Sequence, residues 1–260
     1  GELDAALPVC ENVLMTVDAA AGVGVGTELI AEKARAQGKA MVIFINKMER
    51  ENADFDKTLE AMKNSFGMSI VPIQYPIGKE SDFSGIIDVI SKTAVKYNSK
   101  ISKAEPVDIP ADLVDKVEEC KQMIMEAVAE TDEELLDKYL NDGELCDEDI
   151  YSGLIKGCAQ GEIAPVLCGS ASKVIGIKSM IDSIINCFPS PEHALPQKAK
   201  NLSKNEDVFI NVDENKPFSA LVFKTIADPF VGKISLFKVI TGKVDGELTV
   251  LNPNKEKQEK

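Results

Sequence analysis

The sequence predicts an α/β domain followed by antiparallel strands. Two continuous apolar segments, NVLMTVDA from Asn12 and KAMVIFINK from Lys39, have the composition of buried parallel strands. The segment between them, TELIAEKARAQG, has helical spacing and ends at Gly38. A strand, a helix and a second strand in this order predict a right-handed crossover.

Further segments extend this pattern to about residue 190. We predict a short helix over residues 3–7, a helix over 54–66 stopped by Gly67, and strands in IVPIQYPI and GIIDVISKTAVKY. The buried segment APVLCGSA and a helix over residues 177–188 follow, and Ile181, Ile184 and Ile185 lie on the apolar face of that helix.

The segment from Glu105 to Ile150 is strongly acidic. It holds 17 acidic and 3 basic residues, a difference of −14 that equals the net charge of the whole chain. Apolar residues recur there every three or four positions, which predicts three helices, with Thr131 and Glu134 as a capping box and Asp147 as an N-cap. Such a surface is typical either of solvated helices or of a docking site for a basic protein.

The last third of the chain has a different composition. Residues 191–215 are polar and contain prolines, which predicts a linker. From residue 216 onward, β-branched residues alternate with polar ones between glycine turns, and this pattern predicts about three strands of an antiparallel barrel.

Composition excludes several classes of protein. No apolar run approaches the ~18 residues of a membrane span, and the first residues do not resemble a signal peptide, so we expect a cytoplasmic protein. The six cysteines and the single histidine, His193, show no zinc spacing, and we expect free thiols and no metal site. The charge distribution argues against direct binding of nucleic acid.

The glycines of GVGVG, residues 22–26, suggest a phosphate-binding loop after the first strand. They do not complete the dinucleotide pattern, because Thr27 stands where the third glycine is needed, and no Gly-Lys pair in the chain fits the P-loop pattern. We therefore predict an ordinary connection between a strand and a helix.

Two short segments that follow predicted parallel strands carry candidate binding groups: NKME from Asn46 and GSASK from Gly169. A site selective for guanine needs a carboxylate facing the N1–H and N2–H₂ donors and a backbone N–H facing O6. Glu49 is a candidate for the carboxylate and Ala171 for the N–H. Asn46 would join the two loops, and the stem of Lys47 would cover the base with its ammonium group free.

Longer segments resemble elongation factor G, a translational GTPase. They are VDAAAGV, FINKMERENADF, AVAETDEELLDKYL, PVLCGSASK, FPSP and FKTIADPFVGKISLFKV, and they span nearly the whole chain. Tetracycline-resistance ribosomal protection proteins are close relatives of that family. The resemblance implies a P-loop-type GTPase domain, incomplete in this chain, with a parallel core sheet, an α+β insertion and part of an antiparallel β-barrel.

The resemblance also implies the role of each region. Residues 1–67 would be the back part of the G domain with an NKxD-like motif, and residues 68–165 would be the insertion with acidic helices. The G domain would end with residues 166–190, which contain the GSA loop. Residues 191–215 would then form a linker, and residues 216–260 would be the start of the domain-two barrel. Residues that would contact GTP or GDP are Asn46, Lys47, Glu49, Ser170, Ala171 and Ser172. The ribosome would be the partner, through stalk proteins of the large subunit at the acidic insertion.

Two departures from the family pattern qualify this expectation. The P-loop, the switch residues and the Mg²⁺ ligands of the family would precede this chain, so we expect no catalytic residue in it and no GTP hydrolysis by it alone. Glu49 stands where the family has Asp, and its extra methylene moves the carboxylate by up to ~1.5 Å.

The complete protein would couple GTP hydrolysis to the movement of tRNA and mRNA on the ribosome. The alternatives are a ribosome-recycling or ribosomal protection GTPase, and a non-catalytic acidic adaptor that uses the fold only as a scaffold.

Overall fold

The computed structural model describes residues 2–98, 103–193, 196–202 and 204–259. These residues form two compact units, one of residues 12–189 and one of residues 2–11 with 190–259. The α-helices are α1 (Glu2–Ala6), α2 (Val25–Ala36), α3 (Phe55–Phe66), α4 (Val114–Ala129), α5 (Glu133–Asp142), α6 (Asp147–Gln160) and α7 (Ile177–Cys187).

The larger unit contains eight described strands in two sheets. They are β1 (Asn12–Asp18), β2 (Ala40–Asn46), β3 (Ser69–Pro72), β4 (Gln74–Ile77), β5 (Gly85–Asp88), β6 (Thr93–Asn98), β7 (Lys103–Val107) and β8 (Ile163–Cys168). A parallel sheet has the order β1-β2-β8-β3, and an antiparallel sheet has the order β4-β5-β6-β7. The parallel sheet with flanking helices confirms the predicted fold class.

The centre of the parallel sheet is the most deeply buried part of the chain. Every residue of β8 is buried, as are the first six residues of β2, which explains their continuous apolar sequences. Edge strand β1 instead alternates between buried and more exposed positions. Strand ends at the carboxyl edge of this sheet therefore have a rigid support.

The segment IVPIQYPI forms two strands rather than the one that its sequence predicts. Pro72 ends β3, since it has no N–H to continue the ladder, and Ile73 donates to the carbonyl of Val166 at 3.1 Å. The chain then enters the antiparallel sheet as β4. The first strand of the segment expected as an insertion thus belongs to the parallel sheet.

The acidic segment forms the three predicted helices α4, α5 and α6, but it begins as strand β7. The predicted caps of α5 and α6 are each displaced by one residue. Asp132, not Thr131, caps α5 by accepting from Glu134 N at 2.8 Å, while the Thr131 hydroxyl donates to the carbonyl of Val128. Cys146 precedes α6, and Asp147 is its first residue.

Helices α4 and α6 approach each other closely at Gly153. A Cβ atom added there would lie 2.3 Å from Cγ1 of Val128, so only glycine permits this packing.

The predicted apolar face of α7 is largely exposed to solvent, because Ile181 and Ile185 are 50% and 72% exposed.

The smaller unit contains α1 and three antiparallel hairpins. Their strands are β9 (Gln197–Asn201), β10 (Glu206–Ile210), β11 (Ser219–Asp228), β12 (Gly232–Thr241), β13 (Val250–Asn252) and β14 (Lys257–Glu259). The pairing of β11 with β12 agrees with the predicted antiparallel strands.

The predicted linker contains the hairpin of β9 and β10, which sequence inspection missed because its short strands are rich in lysine and acidic residues. Lys198 and Asp207 form an ion pair across it at 2.8 Å. Linker positions 194, 195 and 203 lie outside the described residues.

Within the described ranges, no helix has both the length and the apolar character of a membrane span.

Candidate functional site

The two predicted binding loops lie side by side at the carboxyl edge of the parallel sheet. Strands β2 and β8 are neighbours, and Ile45 is in register with Cys168, so residues 46–49 and 169–173 leave the sheet together. The N–H of Gly169 donates to the carbonyl of Ile45 at 2.9 Å, and Met48 N donates to the carbonyl of Gly169 at 3.2 Å. The backbone alone already fixes the separation of the two loops.

Asn46 joins the loops through its side chain. Its Oδ1 accepts from its neighbour Lys47 N at 2.8 Å and from Ala171 N at 3.0 Å. The second bond spans 125 residues of sequence and is the expected connection between the loops. It also occupies the Ala171 N–H, the group that we expected to face a base oxygen.

Lys47 is held by an acidic residue that the sequence analysis missed. Its Nζ lies 2.6 Å from Oδ2 of Asp18, so the ammonium group is paired rather than free as expected. Asp18 Oδ1 accepts from the backbone N–H groups of Ala20 and Ala21. The hydrogen bond from Lys47 lowers the pKa of Asp18 against the opposing effect of burial, which keeps Asp18 ionised at neutral pH.

The location of Asp18 along the chain is a usable signal for its role. It ends β1 and is in register with Asn46, the last residue of β2. Because parallel strands end at one edge of a sheet, an acidic residue at this position belongs to the same site.

Glu49 contributes an ionised carboxylate with one unpaired oxygen. Its Oε1 accepts from the Ser172 hydroxyl at 2.5 Å, whereas Oε2 is buried without any hydrogen-bond partner among the described residues. Burial raises the pKa of Glu49, but the hydrogen bond from Ser172 and the other polar groups around the carboxylate outweigh burial, so the pKa lies below its ordinary value. An unpaired buried carboxylate oxygen is costly unless a ligand donates to it.

The second loop is narrow and held at its base. Ser170 and Ile175 exchange two backbone hydrogen bonds of 2.9 and 3.0 Å, and Ser170 Oγ accepts from Lys173 N at 3.1 Å. A Cβ atom added to Gly169 would lie 2.5 Å from the carbonyl oxygen of Ile175, so glycine is required there. Among the described residues, the Ser172 N–H has no hydrogen-bond partner.

Gln74 supports the second loop from the antiparallel sheet. Its side chain is buried, and its Oε1 accepts from Cys168 N at 3.3 Å, one residue before the loop begins. Sequence analysis missed this residue, whose only signal is one amide within the apolar segment IVPIQYPI.

The glycine loop after β1 is a connection, as predicted. Gly22 has φ +69°, Gly24 precedes the first residue of α2, and a Cβ atom added at Gly22, Gly24 or Gly26 would contact nothing within 4 Å. In the described part of the chain, no group of three or more His, Cys, Asp and Glu side chains is arranged to hold a metal ion.

Two adjoining loops lie at the carboxyl edge of a parallel sheet, one with Asn-Lys and a carboxylate and the other with Ser-Ala, which is the arrangement expected of a GTPase-like domain. Residues 1–190 match the family described as Elongation factor Tu GTP binding domain, and the chain belongs to this family of translational GTPase domains.

A crystal structure of a protein from Thermus thermophilus is similar to nearly the whole chain. The TM-score is 0.78 at 26% sequence identity, and the alignment covers 96% of this chain and 34% of that protein. The chain therefore spans about a third of the length of the protein it matches.

The role of Gln74 can be tested by replacing it with Met, which has a similar volume but only a weak thioether acceptor in place of the amide oxygen that binds Cys168 N. We expect Gln74→Met to lower the free energy of unfolding by about 1–3 kcal/mol, because a buried N–H loses its partner. Urea unfolding measures this change. Gln122→Met, on the exposed face of α4, is the control and should change it by less than about 0.5 kcal/mol. Equal effects of the two substitutions would refute a special role for Gln74.

Proposed function

We propose that the two loops bind the base of a guanine nucleotide and that the chain is part of an elongation factor G-like GTPase. The observation that carries the first part is the buried Oε2 of Glu49, which has no partner in the described structure. The Ser172 N–H, also without a partner among the described residues, supplies a donor on the adjoining loop. An unpaired acceptor and an unpaired donor fit the N1–H and O6 groups of guanine.

Each residue of the site has a separate task in this proposal. Glu49 accepts hydrogen bonds from the base, and Asn46 holds Ala171 and the second loop in place. Asp18 fixes the ammonium group of Lys47, so the aliphatic stem of Lys47 has a defined position beside the base. Ser170 and Ser172 orient the Glu49 carboxylate.

The same arrangement disfavours adenine. Adenine presents an acceptor at N1, which would face the ionised Glu49 carboxylate without a proton between them. Two acceptors facing each other in a partly buried site repel, and neither group retains its bonds to water. We therefore expect selectivity for guanine over adenine from this site alone.

The comparison of GDP and ADP tests the proposal directly. We expect GDP to bind about 100-fold more tightly than ADP, and Glu49→Gln to reduce that ratio by about tenfold or more, because the amide replaces one acceptor by a donor. Isothermal titration calorimetry would be performed on the 260-residue chain and on a form extended at its N-terminus to carry a phosphate-binding loop of the family.

Glu60→Gln, on the exposed surface of α3, is the matched control and should leave the GDP to ADP ratio unchanged. Equal affinities for GDP and ADP in the form that binds nucleotide, or no binding by either form, would refute guanine recognition and favour the adaptor hypothesis.

The position of the inserted segment supports the closer relation to elongation factor G. Residues between β3 and β8 form an antiparallel sheet and the acidic helices α4, α5 and α6, and they separate the two base loops in sequence. This is the arrangement that the sequence resemblance implies. The complete protein would then bind the ribosome and couple GTP hydrolysis to movement of tRNA and mRNA, with recycling and ribosomal protection as the alternatives within the family.

In this proposal the chain holds the base of the nucleotide rather than its phosphates or Mg²⁺. The P-loop pattern does not occur in the 260 residues, and no described acidic cluster fits a metal ion. GTP would supply the phosphoryl group for hydrolysis, while Lys47, Glu49 and Ser172 would contact its base and Asn46, Ser170 and Ala171 would hold the two loops in place.

We further propose that helix α5 docks a basic stalk protein of the large ribosomal subunit. Many carboxylates in the acidic helices are paired with lysines, as in Lys92–Glu118, Lys116–Glu119 and Lys121–Asp147. On α5, the exposed Glu133 and Asp137 have no ion-pair partner among the described residues.

Two leucines accompany these charges on α5. The side chains of Leu136 and Leu140 are 38% and 72% exposed, so α5 combines unpaired negative charge with apolar contact area. A basic protein with an apolar patch complements both features.

The docking proposal predicts binding that depends on salt and on α5. The triple variant Glu133→Gln, Glu134→Gln, Asp137→Asn should weaken binding to the isolated stalk protein about tenfold at about 50 mM salt, because three favourable charges are removed. Surface plasmon resonance measures this change. The triple variant Glu28→Gln, Glu32→Gln, Glu60→Gln, with exposed positions on α2 and α3, is the control and should bind as the parent does. Binding that is insensitive to salt, or equally weakened by both triple variants, would contradict the proposal.

A further inference from the structure

We propose that Ser172 is a specificity-determining residue that makes the site accept hypoxanthine nucleotides nearly as well as guanine nucleotides. This inference rests on the proposed function of the same site and extends it to a class of ligand. The class comprises 6-oxopurine nucleotides that carry an N1–H and have no acceptor at C2.

The first step is the unequal state of the two Glu49 oxygens. Oε1 accepts the Ser172 hydroxyl at 2.5 Å, a short, charge-assisted hydrogen bond, whereas Oε2 is buried and unpaired among the described residues. The carboxylate therefore offers a ligand one unengaged oxygen. Oε1 has a second acceptor site, but it keeps the Ser172 hydroxyl as a partner whether or not a ligand also donates to it.

The second step is the support that holds Ser172 in this bond. Its hydroxyl lies 3.2 Å from the hydroxyl of Ser170, which in turn accepts from Lys173 N at 3.1 Å. Ser170 is fully buried and exchanges backbone hydrogen bonds with Ile175. The Ser172 hydroxyl is thus one member of a connected chain of hydrogen bonds and has limited freedom to release Glu49.

The third step is the length of Glu49. Its extra methylene, relative to aspartate, extends the carboxylate by up to ~1.5 Å and allows it to reach across to the second loop. The contact between Glu49 and Ser172 joins residues 123 positions apart, so it is a second side-chain connection between the loops beside that of Asn46. The longer side chain therefore binds the protein with one oxygen and leaves the other for the base.

The chemistry of the base then sets the expected selectivity. Guanine and hypoxanthine share N1–H and O6 and differ only by the 2-amino group of guanine. Oε2 would accept from N1–H in both bases, and Oε1 keeps the Ser172 hydroxyl when the amino group is absent. Loss of the amino group therefore leaves no carboxylate oxygen newly unpaired, so its effect on affinity is small. Xanthine carries a carbonyl at C2, which the Glu49 carboxylate repels.

The test compares GDP, IDP, XDP and ADP by competition with a fluorescent GDP analogue, in whichever form of the chain binds GDP. We expect the parent chain to bind GDP and IDP within about fivefold of each other and to bind XDP and ADP at least about 30-fold more weakly. Ser172→Ala releases Oε1, and we expect it to raise the preference for GDP over IDP about tenfold.

Ser183→Ala is the matched control, because its hydroxyl donates to the Ser179 carbonyl within α7. It should leave the GDP to IDP ratio unchanged, and thermal unfolding checks that both variants are folded. Glu49→Asp provides a second variant, since the shorter side chain withdraws from Ser172 and should also raise the GDP to IDP ratio.

The outcomes separate this inference from the proposed function. The chain could bind GDP, reject ADP and bind IDP more than about 30-fold more weakly than GDP. That result would overturn the role of Ser172 and leave guanine recognition intact. An unchanged GDP to IDP ratio in both Ser172→Ala and Glu49→Asp would also overturn it. Equal binding of GDP and ADP, or no binding of GDP, would overturn the proposed function and this inference together.

Discussion

One side-chain oxygen, Oδ1 of Asn46, carries the connection on which the candidate site depends. It accepts from Lys47 N within the first loop and from Ala171 N in the second, so the positions of both loops are fixed by the same atom. The bond is possible because β2 and β8 are adjacent and almost wholly buried, which fixes where each loop begins. The contact between Glu49 and Ser172 then joins the loops a second time and leaves one carboxylate oxygen unpaired among the described residues.

The inserted segment is also part of the support for this site. Gln74, at the start of its sheet, accepts from Cys168 N directly before the second loop, and Ile86 of β5 lies behind the end of that loop. A Cβ atom added at Gly176 would lie only 2.6 Å from Cδ1 of Ile86, which shows how closely the two parts pack. The antiparallel sheet β4-β5-β6-β7 therefore contacts the second loop through buried groups.

Sequence patterns predicted the parallel strands, the crossover and the positions of both loops, because continuous apolar runs and the residues that follow them are local signals. Long-range partners were not predictable in this way. The pairing of Lys47 with Asp18 spans 29 residues and that of Gln74 with Cys168 spans 94, and neither residue type indicates its partner. The caps at Thr131 and Asp147 were each wrong by one residue. Asp132 accepts the Glu134 N–H that Thr131 was expected to bind, and α6 begins after Cys146 without a side-chain cap.

The most direct measurement is an NMR titration that follows the side-chain carboxyl carbon of Glu49 and the backbone amides of Ala171 and Ser172. With GDP, the account predicts large shifts of the Glu49 carboxyl and Ser172 amide resonances, since both groups gain a hydrogen-bond partner, and a smaller shift at Ala171, which keeps its bond to Asn46. ADP at the same concentration should leave the resonances of all three groups unshifted. GDP binding that leaves the Glu49 carboxyl resonance unchanged would contradict the central claim that this carboxylate recognises the base.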